Sequence, residues 1–194
     1  MTMGAKINYL IKFKKNHSEI PREFLEHLEF QPKTIDGFYL SRLALSELTE
    51  RPLKIDSLKI KNHLHLENDN ETLVSLSHTK GAAAAAIAKK EEGLISIGID
   101  IERISRKLNI NSSKYFLREE DEKSYSLLEI WCLKEAIFKA YAPFYQDEKT
   151  LVLKDFWITE DRFGHYSNRG KVLGKCNVKK EQGLYVAIAT LLKI

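Results

Sequence analysis

The chain reads as an α+β protein on three observations. Short apolar runs bounded by turn residues occur near the start, in the middle and at the end. Between them lie segments whose apolar residues recur at helical spacing. The order strand, helices, strands then occurs twice, with a join near residue 95, and 194 residues suffice for one substantial domain or two small packed ones.

The elements follow in order. Asn8 to Lys14 alternates as a first strand. Ser18-Glu19-Ile20-Pro21 has the form of a helix cap followed by proline, so a helix is expected from about Pro21 to Phe30. Asp36 is placed to cap a second helix, in which Phe38, Leu40, Leu43, Leu45 and Leu48 form the apolar face up to the break at Pro52, with Arg42 among them. His63 and His65 suit one strand face, but no third ligand lies nearby, so they are read as surface. Five consecutive alanines, Ala82 to Ala86, favour a helix by propensity, yet the run is short and a Lys-Lys-Glu-Glu-Gly turn soon follows. Beyond the strand around Leu94 to Ile97 come a polar connection, a short helix near Ser112 to Leu117 and the acidic run Glu119 to Glu122. A long helix is expected from about Lys123 to Tyr141, ended by Pro143. Asp155 to Thr159, Gly170 to Val178 and Leu184 to Leu192 read as closing strands, with Gly164, Gly174 and Gly183 marking turns or bulges.

Composition narrows the function. Charged residues are 30% of the chain but the net charge is only +4, too slight and too evenly mixed for a nucleic-acid footprint. Clusters such as Lys12-Lys14-Lys15 read as solvated surface, and a mildly basic surface suits an acidic partner. No apolar run approaches the length of a membrane span, and the N-terminus lacks a secretory pattern. Cys132 and Cys176 have no metal-ligand spacing, and Cys132 falls in the long helix as a small apolar residue. The expectation is a cytoplasmic protein in a reducing compartment.

Two stretches carry chemistry. In Gly98-Ile99-Asp100-Ile101-Glu102 the carboxylates stand at i and i+2 of a strand, on one face with side-chain origins roughly 6.7 Å apart. That spacing suits one hard cation; the plainer reading is a strand end with a solvated polar face. In Trp131-Cys132-Leu133-Lys134-Glu135-Ala136-Ile137-Phe138-Lys139-Ala140, Glu135 and Lys139 lie one helical turn apart. As a surface pair they would add about 0.2–0.5 kcal/mol. The helix is apolar on several sides, however, and a buried charge needs a partner.

Gly-Ile-Asp-Ile-Glu followed by Trp-x-x-Lys-Glu-Ala-x-x-Lys-Ala resembles the signature pair of the 4'-phosphopantetheinyl transferase superfamily, in its two-lobed, surfactin-synthetase-activating type. Leu76-Ser77-His78-Thr79 resembles the family's upstream Ser-His-Ser element, with Thr79 in place of the second serine. The resemblance implies a pseudo-dimer of two similar lobes, each a small antiparallel sheet packed against a long helix: an N-terminal lobe over 1–95 and a C-terminal lobe over 96–194. It also implies strands where the alanines stand, so a hairpin is expected there, with small side chains that let a helix approach.

The function implied is transfer of the 4'-phosphopantetheine group from coenzyme A to a serine of an apo-carrier protein of acyl, peptidyl or polyketide type, with Mg²⁺ as cofactor and adenosine 3',5'-bisphosphate as second product. Asp100, Glu102 and Glu135 are then the metal ligands. Glu135 is equally placed to act as general base, and the sequence leaves the two roles open. Lys139 would hold a phosphate oxygen, Lys134 another part of the coenzyme, Ser77 and His78 the pyrophosphate, and Arg42 the 3'-phosphate. Two lobes in one chain imply a monomer. The competing readings are a Mg²⁺-dependent phosphohydrolase and a non-catalytic module that binds coenzyme A or a carrier protein.

Overall fold

The alternation of β6, Leu94–Arg103, organises the molecule: Ile97, Ile99 and Ile101 point one way, while Ser96, Gly98, Asp100 and Glu102 point the other. In the computed structural model, which describes residues 6–16, 19–26, 35–91, 93–168 and 170–193, this strand lies at the edge of a sheet. The strands before it are β1 (Ile7–Phe13), β2 (Ile60–Lys61), β3 (His65–Leu66), β4 (Asp69–Thr79) and β5 (Ala82–Lys89). Those after it are β7 (Phe156–Thr159), β8 (Arg162–His165), β9 (Gly174–Glu181) and β10 (Leu184–Leu192). The helices are α1 (Arg22–Glu26), α2 (Ile35–Thr49) and α3 (Leu127–Tyr141). Among the described residues the strands form two five-stranded antiparallel sheets, in the orders β1-β5-β4-β3-β2 and β6-β10-β9-β8-β7. The fold is α+β, each sheet packed against helices, consistent with a two-lobed pseudo-dimer.

The alanine run is a strand, as expected, and its alternation explains the composition. Ala82, Ala84, Ala86 and Ala88 meet Ile97, Ile99, Ile101 and Val186 of the second sheet. Ala83 packs with Tyr39 and Leu40 of α2, and Ala85 with Ala44 and Leu45. A strand covered on both faces has room only for small side chains, and this burial overrides helix propensity.

On the outer face of the second sheet, Gly98, Ala187 and Ala189 form a floor of small residues under Cys132, Ala136 and Ala140 of α3. The helix comes so close that a Cβ at Gly98 would lie 1.9 Å from the Ala136 carbonyl oxygen and 2.9 Å from the Ala140 nitrogen. Cys132 is buried here, and both cysteines are free thiols.

Several boundaries differ from expectation. The long helix begins at Leu127, not Lys123, because Ser126 and Glu129 form a reciprocal capping box that defines its start. The short helix is a 3₁₀ segment, Ile110–Tyr115. Asp36 lies in the first described turn of α2, paired with Lys14. Ser18 and residues 27–30, part of the first expected helix, fall outside the described residues. Gly183 occupies a turn with positive φ, whereas Gly164 and Gly174 lie inside strands, and β8 was not foreseen. His63 stands in a turn rather than beside His65 on a strand. Among the described residues no helix is long and apolar enough to cross a membrane.

Gly98→Ala is expected to lower stability by about 1–3 kcal/mol through overpacking, read as a lower urea midpoint with unchanged m value. Relief of glycine's entropic cost alone would raise stability instead, so the sign of the change checks the close approach.

Candidate active site

As an edge strand, β6 has outward backbone groups that need partners. The Ile99 N–H donates to Ser75 Oγ at 3.0 Å and the Ile101 N–H to Ser77 Oγ at 3.3 Å, so alternate serines of β4 close the edge from the first sheet. Lys139, reaching in from α3, donates to the Ile99 carbonyl at 3.1 Å. Its remaining bonds go to Ser77 Oγ at 3.0 Å and Asp100 Oδ1 at 2.8 Å. One ammonium thus ties together a helix and a strand from each sheet.

Asp100 Oδ1 also accepts from Ser77 Oγ at 2.7 Å, while Asp100 Oδ2 is buried without a partner. Glu102 Oε2 accepts from Thr79 Oγ1 at 3.2 Å, so the threonine does what a serine hydroxyl would do there. Glu102 Oε1 is paired with Arg106 from the turn after β6. Glu135 is held above the ordinary carboxylate range, first by burial and then by repulsion from Asp100, with Lys139 and Arg106 pulling the other way. Asp100, Glu102 and Glu135 line one cavity of about 350 Å³, together with Ser77, His78, Arg106, Trp131 and Lys139.

The three carboxylates therefore share a space, yet among the described residues no three acidic, histidine or cysteine side chains are already closed into a metal cage. The donor set is oxygen-only, the kind a hard dication takes, and the orphaned Asp100 Oδ2 is a buried acceptor in need of a cation. On that observation the residues fit Mg²⁺.

His78 packs against α2, where a Cβ on Gly37 would come within 2.8 Å of its ring, so the glycine makes room for the imidazole. Burial lowers its pKa, Lys139 lowers it further, and Asp100 opposes both. Leu76 and Lys139 also line a second cavity of about 580 Å³, with Arg42, Ile60, His63 and Phe138 on its walls. Arg42 stacks on Phe38 with its guanidinium carbon 4.6 Å from the ring centroid. Burial draws its pKa down to about 10, and no carboxylate among the described residues pairs with it. A desolvated cation without a counter-charge is a place for an anion.

Lys134 is a correction. Its side chain is fully buried, and its ammonium donates to Asp121 Oδ2 at 2.6 Å and to the carbonyls of Phe116 at 2.6 Å and Phe156 at 2.9 Å. One residue of helix rotation turns it away from the cavity that Glu135 lines, so it is a structural cation rather than a coenzyme contact. Arg106 lines the site and Ser75 supports it, and neither lies in the motifs that carry the resemblance; Thr79 and Trp131 stand in those motifs and gain a partner and a cavity wall here. The signals were there: a serine pair at i and i+2 of a strand, and an arginine four residues after Glu102.

Fold and cavity together define an α+β protein with an acidic, lysine-bearing cleft between two sheets and a half-buried arginine in an adjoining cavity. Residues 96–189 match the family model described as the 4'-phosphopantetheinyl transferase superfamily, a span that covers α3 and most of the second sheet. The match supports phosphopantetheine transfer as the general function, with coenzyme A and a carrier protein as the partners the family implies. No curated protein matches the chain.

Two outcomes check this assignment of roles. Lys134→Met should cost about 3–5 kcal/mol by leaving Asp121 buried and uncompensated, while coenzyme A affinity measured below the melting temperature stays unchanged. Glu135→Gln should behave oppositely. Because the folded pKa of Glu135 is raised, the folded state holds the proton more tightly, and wild-type stability falls as pH rises from the ordinary carboxylate range through the folded value. The variant lacks that loss, so its melting temperature should gain on wild type as pH is raised above the ordinary glutamate range, measured in chelator.

Proposed function

We propose that the protein moves the 4'-phosphopantetheine group of coenzyme A onto a serine of an apo-carrier protein, releasing adenosine 3',5'-bisphosphate. The observation that carries this reading is the coincidence of the family match with the one cavity lined by Asp100, Glu102, Glu135 and Lys139. The serine oxygen forms a bond to the phosphorus bearing the pantetheine arm, the bond from that phosphorus to the bridging oxygen of the pyrophosphate breaks, and the serine proton goes to Glu135. Glu135 lies in the same cavity as Asp100 and Lys139, which places its carboxylate to take that proton.

Asp100, Glu102 and Glu135 would hold Mg²⁺, which when bound neutralises phosphoryl charge. Lys139 contributes a fixed positive charge beside Asp100, and Ser77 fixes Lys139 and Asp100 relative to one another. His78 lies at the cavity wall, placed to donate to the pyrophosphate. Arg42, without a carboxylate partner in the adjoining cavity, takes the 3'-phosphate end of the donor. In this reading residues 1–95 supply the coenzyme-binding lobe and residues 96–194 the catalytic lobe, and the single chain acts as a cytoplasmic monomer because both walls of the cleft are its own.

Incubation with coenzyme A, Mg²⁺ and a panel of apo-carrier proteins, read by mass spectrometry, should add one phosphopantetheine to a carrier. Asp100→Asn should reduce that transfer at least a hundredfold while retaining a cooperative melt. Phosphate release from small substrates without carrier modification, or coenzyme binding without turnover, would replace this reading with a hydrolase or a binding module.

A further inference from the structure

Both oxygens of Glu102 are engaged by the protein, Oε2 by Thr79 and Oε1 by Arg106, and Asp100 Oδ1 is engaged by Ser77 and Lys139. The buried free oxygen of Asp100 is thus joined by Glu102 Oε1 only if Arg106 leaves. The partners of Arg106 make that move easy. Its backbone is fixed by a turn, with the Arg106 N–H donating to the Arg103 carbonyl at 2.9 Å and the Ile104 N–H to the Gly183 carbonyl at 3.2 Å. Its side chain is 42% exposed and held by Glu102 and by the face of Trp131, with the guanidinium carbon 5.4 Å from the ring centroid. Lys139, by contrast, has three protein acceptors and anchors both sheets, so it stays.

Charge counting points the same way. Three carboxylates facing Lys139 and Arg106 leave one net negative charge when all are ionised. A dication added with Arg106 in place would make the cavity net positive, whereas exchange of Arg106 for the dication makes it neutral.

We propose that Arg106 is an internal stand-in for the dication: it neutralises Glu102 until metal enters, competes with the metal for Glu102 Oε1, and swings off the Trp131 face when displaced. Arg106 is a positioning residue in this scheme, keeping the cavity from collapsing or repelling itself before loading. The inference rests on the reading of Asp100, Glu102 and Glu135 as a metal site.

The test is Mn²⁺ binding to the full chain, followed by electron paramagnetic resonance without coenzyme A or carrier. Arg106→Gln should bind Mn²⁺ about five- to tenfold more tightly than wild type, the scale of a lost, partly exposed competing ion pair. Asp100→Asn should abolish binding in either background. Mn²⁺ binding that depends on Asp100 but is equal or weaker in Arg106→Gln overturns the competition and leaves the metal site standing. Absence of any Asp100-dependent binding overturns both. Should Arg106→Gln not fold, Trp131 serves as reporter in a Trp157→Phe background: dication should change its emission as the guanidinium departs, and a silent ring overturns the proposal.

Discussion

The backbone-to-backbone approach of α3 onto β6 at Gly98 is the constraint on which the site depends. No side chain intervenes between the glycine and the Ala136 carbonyl, so the helix sits as low on the sheet as a helix can. Three residues later on the helix, Lys139 can then reach past the strand to its far edge and to a serine of the other sheet. A larger residue at 98 would lift the helix, and the ammonium would lose acceptors on two strands together. Packing and chemistry are here one interaction, since the small floor of Gly98, Ala187 and Ala189 that admits the helix also sets how far its charges reach.

Burial and charge are balanced unevenly within the cleft. Lys134 and Asp121 satisfy one another in the core of the second lobe, closed off from solvent. The cavity charges are left incomplete: among the described residues Asp100 keeps an orphaned oxygen and Arg42 finds no carboxylate, and Glu135 holds its proton more tightly than usual. Incomplete pairing costs stability and is kept where a ligand is to complete it. The same contrast separates the two lysines of one helix, Lys134 for folding and Lys139 at the boundary between folding and chemistry.

Much of this was legible in the residues. The period of two in Ile97, Ile99 and Ile101 fixed which face Asp100 and Glu102 share, and the apolar surroundings of Glu135 implied burial. The alanine strand was legible only with the resemblance, because its cause, coverage on both faces, is tertiary. Lys134 misled because neighbours in sequence are about 100° apart on a helix, and nothing local says which of two adjacent charges faces inward. The start of α3 was written in Ser126 and Glu129, three apart, whereas the expected helix took in the residues from Lys123 that precede this cap. Ser75 and Arg106 could not be read locally because their partners are a backbone amide of the other sheet and a carboxylate across a turn, pairings that periodicity does not encode.

The serine hydroxyls that occupy the Ile99 and Ile101 amides have a consequence for modularity. Cut free of the first sheet, the second would present a bare strand border with an isoleucine row beside it, an invitation to recruit a neighbouring copy. Residence of both halves on a single polypeptide supplies that border with a permanent, hydroxyl-bearing companion. Covalent linkage thus keeps that border covered as well as building a cleft.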